Sequence, residues 1–272
     1  MALSPAFFAS VRSSLFGGTL SQPQVDGLNA VERAFDKCGD GDRRKLAYAL
    51  ATKFHEVGAA MVPRIENLNY TSAERIRKVW PSRFKTLAAA QPYVRQQEKL
   101  ANFVYGNRAD LGNDQPGDGW LYRGRGDAQI TVKSAYASLG KLLGIDLIGN
   151  PDAVLDVEVA AAILVLGLVQ GLFTGRKLAD GVPDFVEARR VVNGDFKANG
   201  AMIAGYAEKF LAALNAGGSA QPATHAPSDA PLPPPKPAAP IPLHPLPPPA
   251  SSNWFISLLA ALAAFFMPNR KV

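Results

Sequence analysis

The sequence predicts a mainly α-helical protein in three parts, and three observations carry that prediction. Over residues 1–215, apolar side chains recur at three- and four-residue intervals between polar, cap-forming residues. From 216 to 252 the composition turns abruptly to Pro and Ala with few charges. From 253 to 272 a nearly uncharged apolar run closes the chain on a basic pair. The expected organisation is therefore a folded domain at 1–215, a disordered Pro/Ala-rich linker at 216–252 and a hydrophobic C-terminal helix at 253–272.

Each element of the folded part has its own signal. Pro5 to Leu15 sets Phe7, Phe8, Val11 and Leu15 at helical spacing, and Gly17-Gly18 ends that helix. Ser21 can cap a second helix bearing Val25, Leu28, Val31 and Phe35 on one face. A third, over 43–60, carries Leu46, Leu50 and Phe54 and then Glu56 near its end. Thr71 or Ser72 opens a helix continuing through Val79, and Pro92 to Tyr105 forms another. The segment from Gly106 to Gly126, rich in Gly, Asn and Asp, reads as a long loop, a length that favours a functional wall over a connector. Helices follow at 131–144, 155–173, 183–193 and 198–215. The run Val157–Leu172 is apolar almost all round, which marks a buried core helix.

Charge and cysteine usage narrow the function classes. The chain has 272 residues, 47% hydrophobic and 19% charged, with a formal net charge of +6. A mildly basic domain suits an anionic polymer such as a bacterial wall. The basic residues are scattered and no nucleic-acid motif accompanies them, so a nucleic-acid partner is not expected. The single cysteine, Cys38, excludes an intrachain disulfide and fits folding in a reducing cytosol. Asp40-Gly41-Asp42 beside it falls short of a calcium loop. Three histidines without ligand spacing imply no metal, and no cofactor is implied. Met1-Ala2-Leu3-Ser4-Pro5 is not a secretory signal.

The linker is of the partly extended, Pro-rich kind. Beyond it, Trp254 to Met267 gives 14 apolar-dominated residues, about 21 Å as a helix against a hydrocarbon core of roughly 30 Å. Trp254 at one end and Arg270-Lys271 at the other resemble interfacial anchors. The expectation is a monomeric protein made in the cytoplasm and held at the cytoplasmic membrane by this segment, acting on the cell wall.

The chemistry concentrates in a few strings. Phe54-His55-Glu56 is followed ten residues later by Glu66-Asn67-Leu68-Asn69-Tyr70, one carboxylate on an apolar helix and a second at a loop. Two carboxyl groups, one protonated and one ionised, are the minimum for acid/base cleavage of a glycosidic bond. Three further strings accompany them: Gly119-Trp120-Leu121-Tyr122-Arg123-Gly124-Arg125-Gly126-Asp127-Ala128-Gln129-Ile130-Thr131, then Leu142 to Asp152, then Ala188-Arg189-Arg190-Val191-Val192-Asn193-Gly194. In order and spacing this set resembles the lysozyme-like catalytic domain of the family 19 glycoside hydrolases, plant-type chitinases and phage endolysins. The resemblance runs from about Pro5 to Asn215, the shorter phage-type members being the nearer match. It implies a lysozyme-like, bilobal helical domain with a cleft.

The resemblance also implies roles. Glu56 stands where the family has its general acid, and its apolar helix is expected to desolvate it and favour the protonated form. Glu66 is the candidate base of an inverting mechanism, with Glu74 as a substitute better explained as a cap or ion-pair partner of its helix. His55 is read as a structural support. Thr131 matches a hydroxyl that holds the attacking water, and Gln129 and Asn193 match sugar-binding amides. Tyr122 and Arg125 are expected to line the cleft, while Asn193-Gly194 also reads as a helix C-cap. Three departures bear on substrate preference: Val57-Gly58-Ala59-Ala60 after the acid, Ala135-Tyr136 where many members have Asn-Tyr, and Asp127 where an apolar residue is common.

The resulting expectation is an endolysin-like glycosidase cutting β-1,4 bonds of peptidoglycan. A chitinase is the alternative among enzymes, since both polymers present N-acetylglucosamine. A catalytically inactive, membrane-tethered wall-binding protein is the alternative of another class.

Overall fold

The computed structural model describes residues 2–182 and 184–216. The linker and the C-terminal hydrophobic segment lie outside the described residues. Among the described residues no helix is long and apolar enough to cross a membrane.

In chain order the helices are α1 (Pro5–Ser14), α2 (Gln22–Cys38), α3 (Arg43–Val57), α4 (Ala73–Val79), α5 (Leu87–Ala90), α6 (Gln97–Tyr105), α7 (Asp118–Leu121), α8 (Lys133–Leu143), α9 (Val157–Gln170), α10 (Arg189–Val192) and α11 (Phe196–Ala216). The strands β1 (Arg64–Ile65) and β2 (Arg125–Gly126) pair as a two-stranded sheet. The fold is mainly α, as expected.

The chain divides into two compact units, and it passes between them more than once. The first holds residues 2–64, Gly126–Ala128 and 157–216, so it carries α1–α3 and α9–α11. Here α3 packs on α11, α2 on α9 and α1 on α11. Every residue from Leu46 to Lys53 is buried, so α3 is a central helix rather than an amphipathic surface one. Helix α9 is likewise buried over most of its length, as its all-round apolarity predicted. Ser4 Oγ accepts from the Phe7 N–H at 3.1 Å and Pro5 occupies the first turn of α1, which fixes where that helix starts.

The second unit holds 65–125 and 129–156, with α4–α8. Its core gathers Leu68, Ile76, Val79, Trp80, Phe84, Leu100, Val104 and Tyr105, with Tyr70, Tyr93 and Trp120 packed against it. Ser72 Oγ accepts from the Arg75 N–H and caps α4, as anticipated.

The differences from expectation have local causes. Helix α3 stops at Val57, not residue 60, because Gly58 turns the backbone left-handed at φ 77°. Residues 92–105 do not form one helix: a 3-10 turn over Gln91–Tyr93 precedes α6, and Arg95, at φ 58°, breaks the path between them. The long loop contains a 3-10 turn at Ala109–Leu111 and the short α7. Only Arg189–Val192 of the expected 183–193 helix is α-helical.

Candidate active site

Glu56 is the penultimate residue of α3 and is 2% exposed. It is buried as expected, but its surroundings are not simply apolar. Its Oε1 accepts from Arg189 Nη1 at 2.6 Å. Arg189, itself fully buried, turns its other edge to Asp195, donating from Nε at 2.7 Å and Nη2 at 3.1 Å. One guanidinium thus joins two carboxylates, and its fork geometry suits that task where a lysine would not. Burial works against the charge of Arg189, yet the two carboxylates raise its pKa above the ordinary arginine value. Burial also opposes ionisation of Asp195, but the bonds from Arg189 and from Asn199 Nδ2 hold its carboxyl below the usual range. His55 is pushed below its ordinary pKa by burial, so it is neutral near pH 7, consistent with a supporting role.

Helix α3 is anchored again one turn before Glu56. Lys53 Nζ donates to Asp127 Oδ2 at 2.6 Å, and both side chains are fully buried. Burial raises the Asp127 carboxyl above its ordinary pKa and Lys53 pulls it back. The charge at 127, unusual against the resembled pattern, therefore has its partner on the helix that carries Glu56.

In the second unit, Glu66 follows β1 and is 5% exposed. Its backbone N–H donates to the Gly124 carbonyl at 2.8 Å, and Gly124 N–H returns a bond to Oε2 at 3.3 Å. A Cβ at 124 would stand 3.1 Å from Glu66 Cβ and 3.3 Å from Oε2, so the glycine permits this close approach. The Tyr105 hydroxyl donates to Oε1 at 2.7 Å. Burial pushes the Glu66 carboxyl up to about 7, against the lowering effects of Tyr105, Gly124 N–H and the Arg123 charge. Glu74 is exposed in the first turn of α4, where its charge suits the helix N-terminus.

The remaining expected site residues are placed as follows. Thr131 is 2% exposed, and its hydroxyl donates to the Gln129 carbonyl at 3.1 Å. Gln129 is fully buried in a left-handed backbone position, φ 50°. Tyr122 is a core residue: its ring packs 5.4 Å from that of Tyr136, and its hydroxyl meets the Ile148 carbonyl at 3.4 Å. Arg125, 3% exposed, donates to Asp152 Oδ1, the Leu121 and Arg123 carbonyls and the Tyr136 hydroxyl. Tyr122 and Arg125, expected to line the cleft, are thus as buried as the two glutamates, and their bonds hold the glycine-rich segment in shape. Asn193 is the C-cap of α10, and its Oδ1 accepts from the Asp195 N–H at 3.1 Å, bracing the carboxylate that holds Arg189.

Arg189, Asp195, Tyr105 and Lys53, which bond to the candidate carboxyls or hold the segments that carry them, are groups that the sequence reading missed. Arg189 stood inside a string that drew attention for Asn193, but nothing in local spacing connects it with Glu56, 133 residues away. Lys53 had a weak signal, a charge three residues before Glu56 on an otherwise apolar helix. No group of three or more potential metal ligands occurs among the described residues.

Comparison with known proteins bears on sequence and fold. No protein-family profile matches the chain. A protein of Haemophilus influenzae described as "glycosyl hydrolase family 19 domain-containing protein" is 37% identical over 140 residues, which cover 49% of this chain and 66% of the relative. Among solved structures, a bacterial family 19 chitinase superposes with a TM-score of 0.51 at 21% identity, over 80% of this chain and 98% of that one. Chitinase C from Streptomyces griseus gives a TM-score of 0.49 at 21% identity over 78% and 76%. In sequence, then, the chain is similar to a family 19 glycosyl hydrolase domain protein, and in fold it is similar to a bacterial family 19 chitinase.

Proposed function

We propose that the protein is an endo-acting glycoside hydrolase that cuts β-1,4 bonds in N-acetylglucosamine-containing wall polymer, with peptidoglycan as substrate in an endolysin-like role. The observation that carries this reading is the contrast between two buried carboxyls in the matched motifs: Glu56 against a guanidinium, and Glu66 among neutral donors with its pKa raised to about 7. Carboxyls placed in unlike environments are the signature of an acid and a base at work on one bond. Glu56, in its protonated form, donates to the leaving glycosidic oxygen as that oxygen parts from the anomeric carbon, and Arg189 compensates the carboxylate left behind. Glu66 takes a proton from the water that attacks the opposite face, and the configuration inverts. The Thr131 hydroxyl, donating to the Gln129 carbonyl, has lone pairs with which to accept from that water.

The raised pKa of Glu66 favours one second reading, with the roles exchanged: a carboxyl half-protonated near pH 7 is suited to give a proton as well as to take one. Glu56→Gln and Glu66→Gln, assayed on purified peptidoglycan and on chitin oligomers, test both. Each variant is expected to lose about 10²–10⁴ in rate, and one that kept more than about a tenth of wild-type rate would remove that residue from the chemistry. A substrate with a good leaving group restores only the variant lacking the acid, which assigns the roles. Mass spectrometry of the products identifies the bond and separates peptidoglycan from chitin as substrate. Retained configuration at the new anomeric centre, read by NMR, would replace inversion with a covalent intermediate.

A further inference from the structure

The glycine-rich string carries two arginines, and the structure treats them differently. Arg125 is buried and spends its donors on Asp152, two carbonyls and the Tyr136 hydroxyl. Arg123 is half-buried, and the hydrogen bond that places it runs from Nη1 to the Trp120 carbonyl at 2.8 Å. Its guanidinium lies 3.6 Å over the Trp120 ring, which covers one face and holds the plane fixed. Its Nε is buried with no hydrogen-bond partner. No carboxylate pairs with it among the described residues. The Nη1 and Nη2 end of this half-buried side chain, with one donor spent on the Trp120 carbonyl, keeps N–H groups that can take an acceptor from outside the chain.

The position of this group matters. Arg123 precedes Gly124, which is hydrogen-bonded in both directions to Glu66, so the cation stands beside the second carboxyl of the proposed site. Its charge is felt there, lowering the pKa of Glu66 against the effect of burial. A guanidinium held over an aromatic ring keeps planar N–H groups at its outer end that match a carboxylate in two-point contact. Chitin is neutral along its whole length. Peptidoglycan carries carboxylates on its muramic acid substituents, either the lactyl group in stripped strands or the stem peptide in intact ones.

We propose that Arg123, stacked on Trp120, is a specificity-determining residue that binds a carboxylate of the muramic acid substituent and so favours peptidoglycan over chitin. This rests on the proposed hydrolase reading. It also makes binding to wall glycan weaken with salt more steeply than binding to chitin.

The test compares wild type, Arg123→Gln and Arg123→Lys on three substrates: glycan strands stripped of peptide, strands bearing stem peptides, and chitin oligomers. Arg123→Gln is expected to lower kcat/KM on carboxylate-bearing strands by about tenfold or more, mainly through KM, with a loss on chitin oligomers at least about fivefold smaller. Arg123→Lys, which keeps the charge and loses the fork, should fall between them. The strand type that suffers more identifies which carboxylate is bound. Equal losses on strands and chitin, with one common shift of the pH profile, would overturn the inference and leave Arg123 acting only on the Glu66 proton. A wild type that cuts chitin but no carboxylate-bearing strand overturns this inference together with the peptidoglycan reading. Residual chitin hydrolysis by each variant reports that it is folded.

Discussion

The bonding partner of Glu56 is charged, since Arg189 bridges it to Asp195, and a second buried ion pair, Lys53 with Asp127, lies one turn earlier on the same helix. The bonding partners of Glu66 are neutral, a tyrosine hydroxyl and a backbone N–H. Both carboxyls are almost fully buried, so burial alone does not distinguish them. The partner does. A buried carboxylate bonded to a guanidinium has its charge compensated, whereas one hydrogen-bonded to neutral dipoles, with a cation near but not paired, offsets desolvation by holding its proton to higher pH. The first arrangement ties the site to the stability of its unit. The second tunes a proton.

That contrast can be broken most severely at Arg189. Arg189→Met leaves the buried Glu56 and the partly buried Asp195 without their shared cation, a loss of about 3–5 kcal/mol. For a folded region of this size the melting temperature should fall by roughly ten degrees. Calorimetry showing a drop of less than about two degrees would mean that the pair is solvated in solution.

The next effect is smaller and depends on pH. The folded pKa of Glu66, about 7, lies above its ordinary value of 4.5, so the folded state binds more protons between these limits. Stability from this group is thus complete below about pH 4.5 and is lost as pH rises through about 7. Glu66→Gln removes the titration. Relative to wild type, the variant should gain on the order of 2–3 kcal/mol between pH 4 and pH 8. Denaturant melts at the two pH values measure this, and a constant difference between variant and wild type would show that Glu66 titrates normally.

Tyr105→Phe sharpens the comparison with the smallest change. The lost hydroxyl is a donor that lowers the Glu66 pKa, so the variant should titrate higher, by about one unit. If Glu66 works as the ionised base, the acidic limb of kcat/KM moves up and the rate at pH 6 falls. If it works as the acid, the alkaline limb moves up and the rate at pH 8 rises. A pH profile identical to that of wild type would show that the hydroxyl bond does not bear on the reacting proton.

Much of the molecule was legible from local patterns. The cap at Ser72, the apolar periodicity of α2 and the all-round apolarity of α9 report on one or two helical turns at a time, and these survive in the structure. Glu56 and Glu66 were visible as residues in strings. Their surroundings were not: Arg189 lies 133 residues from Glu56, Asp127 lies 74 from Lys53, and Tyr105 lies 39 from Glu66. The partners of Arg125 and Tyr122 were equally out of sight, since Asp152, Tyr136 and Ile148 meet them only in the fold.

The sequence by itself determined the helices, the abrupt change of composition after residue 215 and the two carboxylate-bearing strings, because hydrophobic periodicity, caps and turns are properties of neighbouring residues. Only the tertiary structure decided which carboxyl meets a cation, which meets a neutral hydroxyl, and which of the two arginines flanking Gly124 keeps a donor unspent. Those outcomes depend on packing that brings distant segments together, and a buried charge takes its behaviour from whatever group that packing places against it.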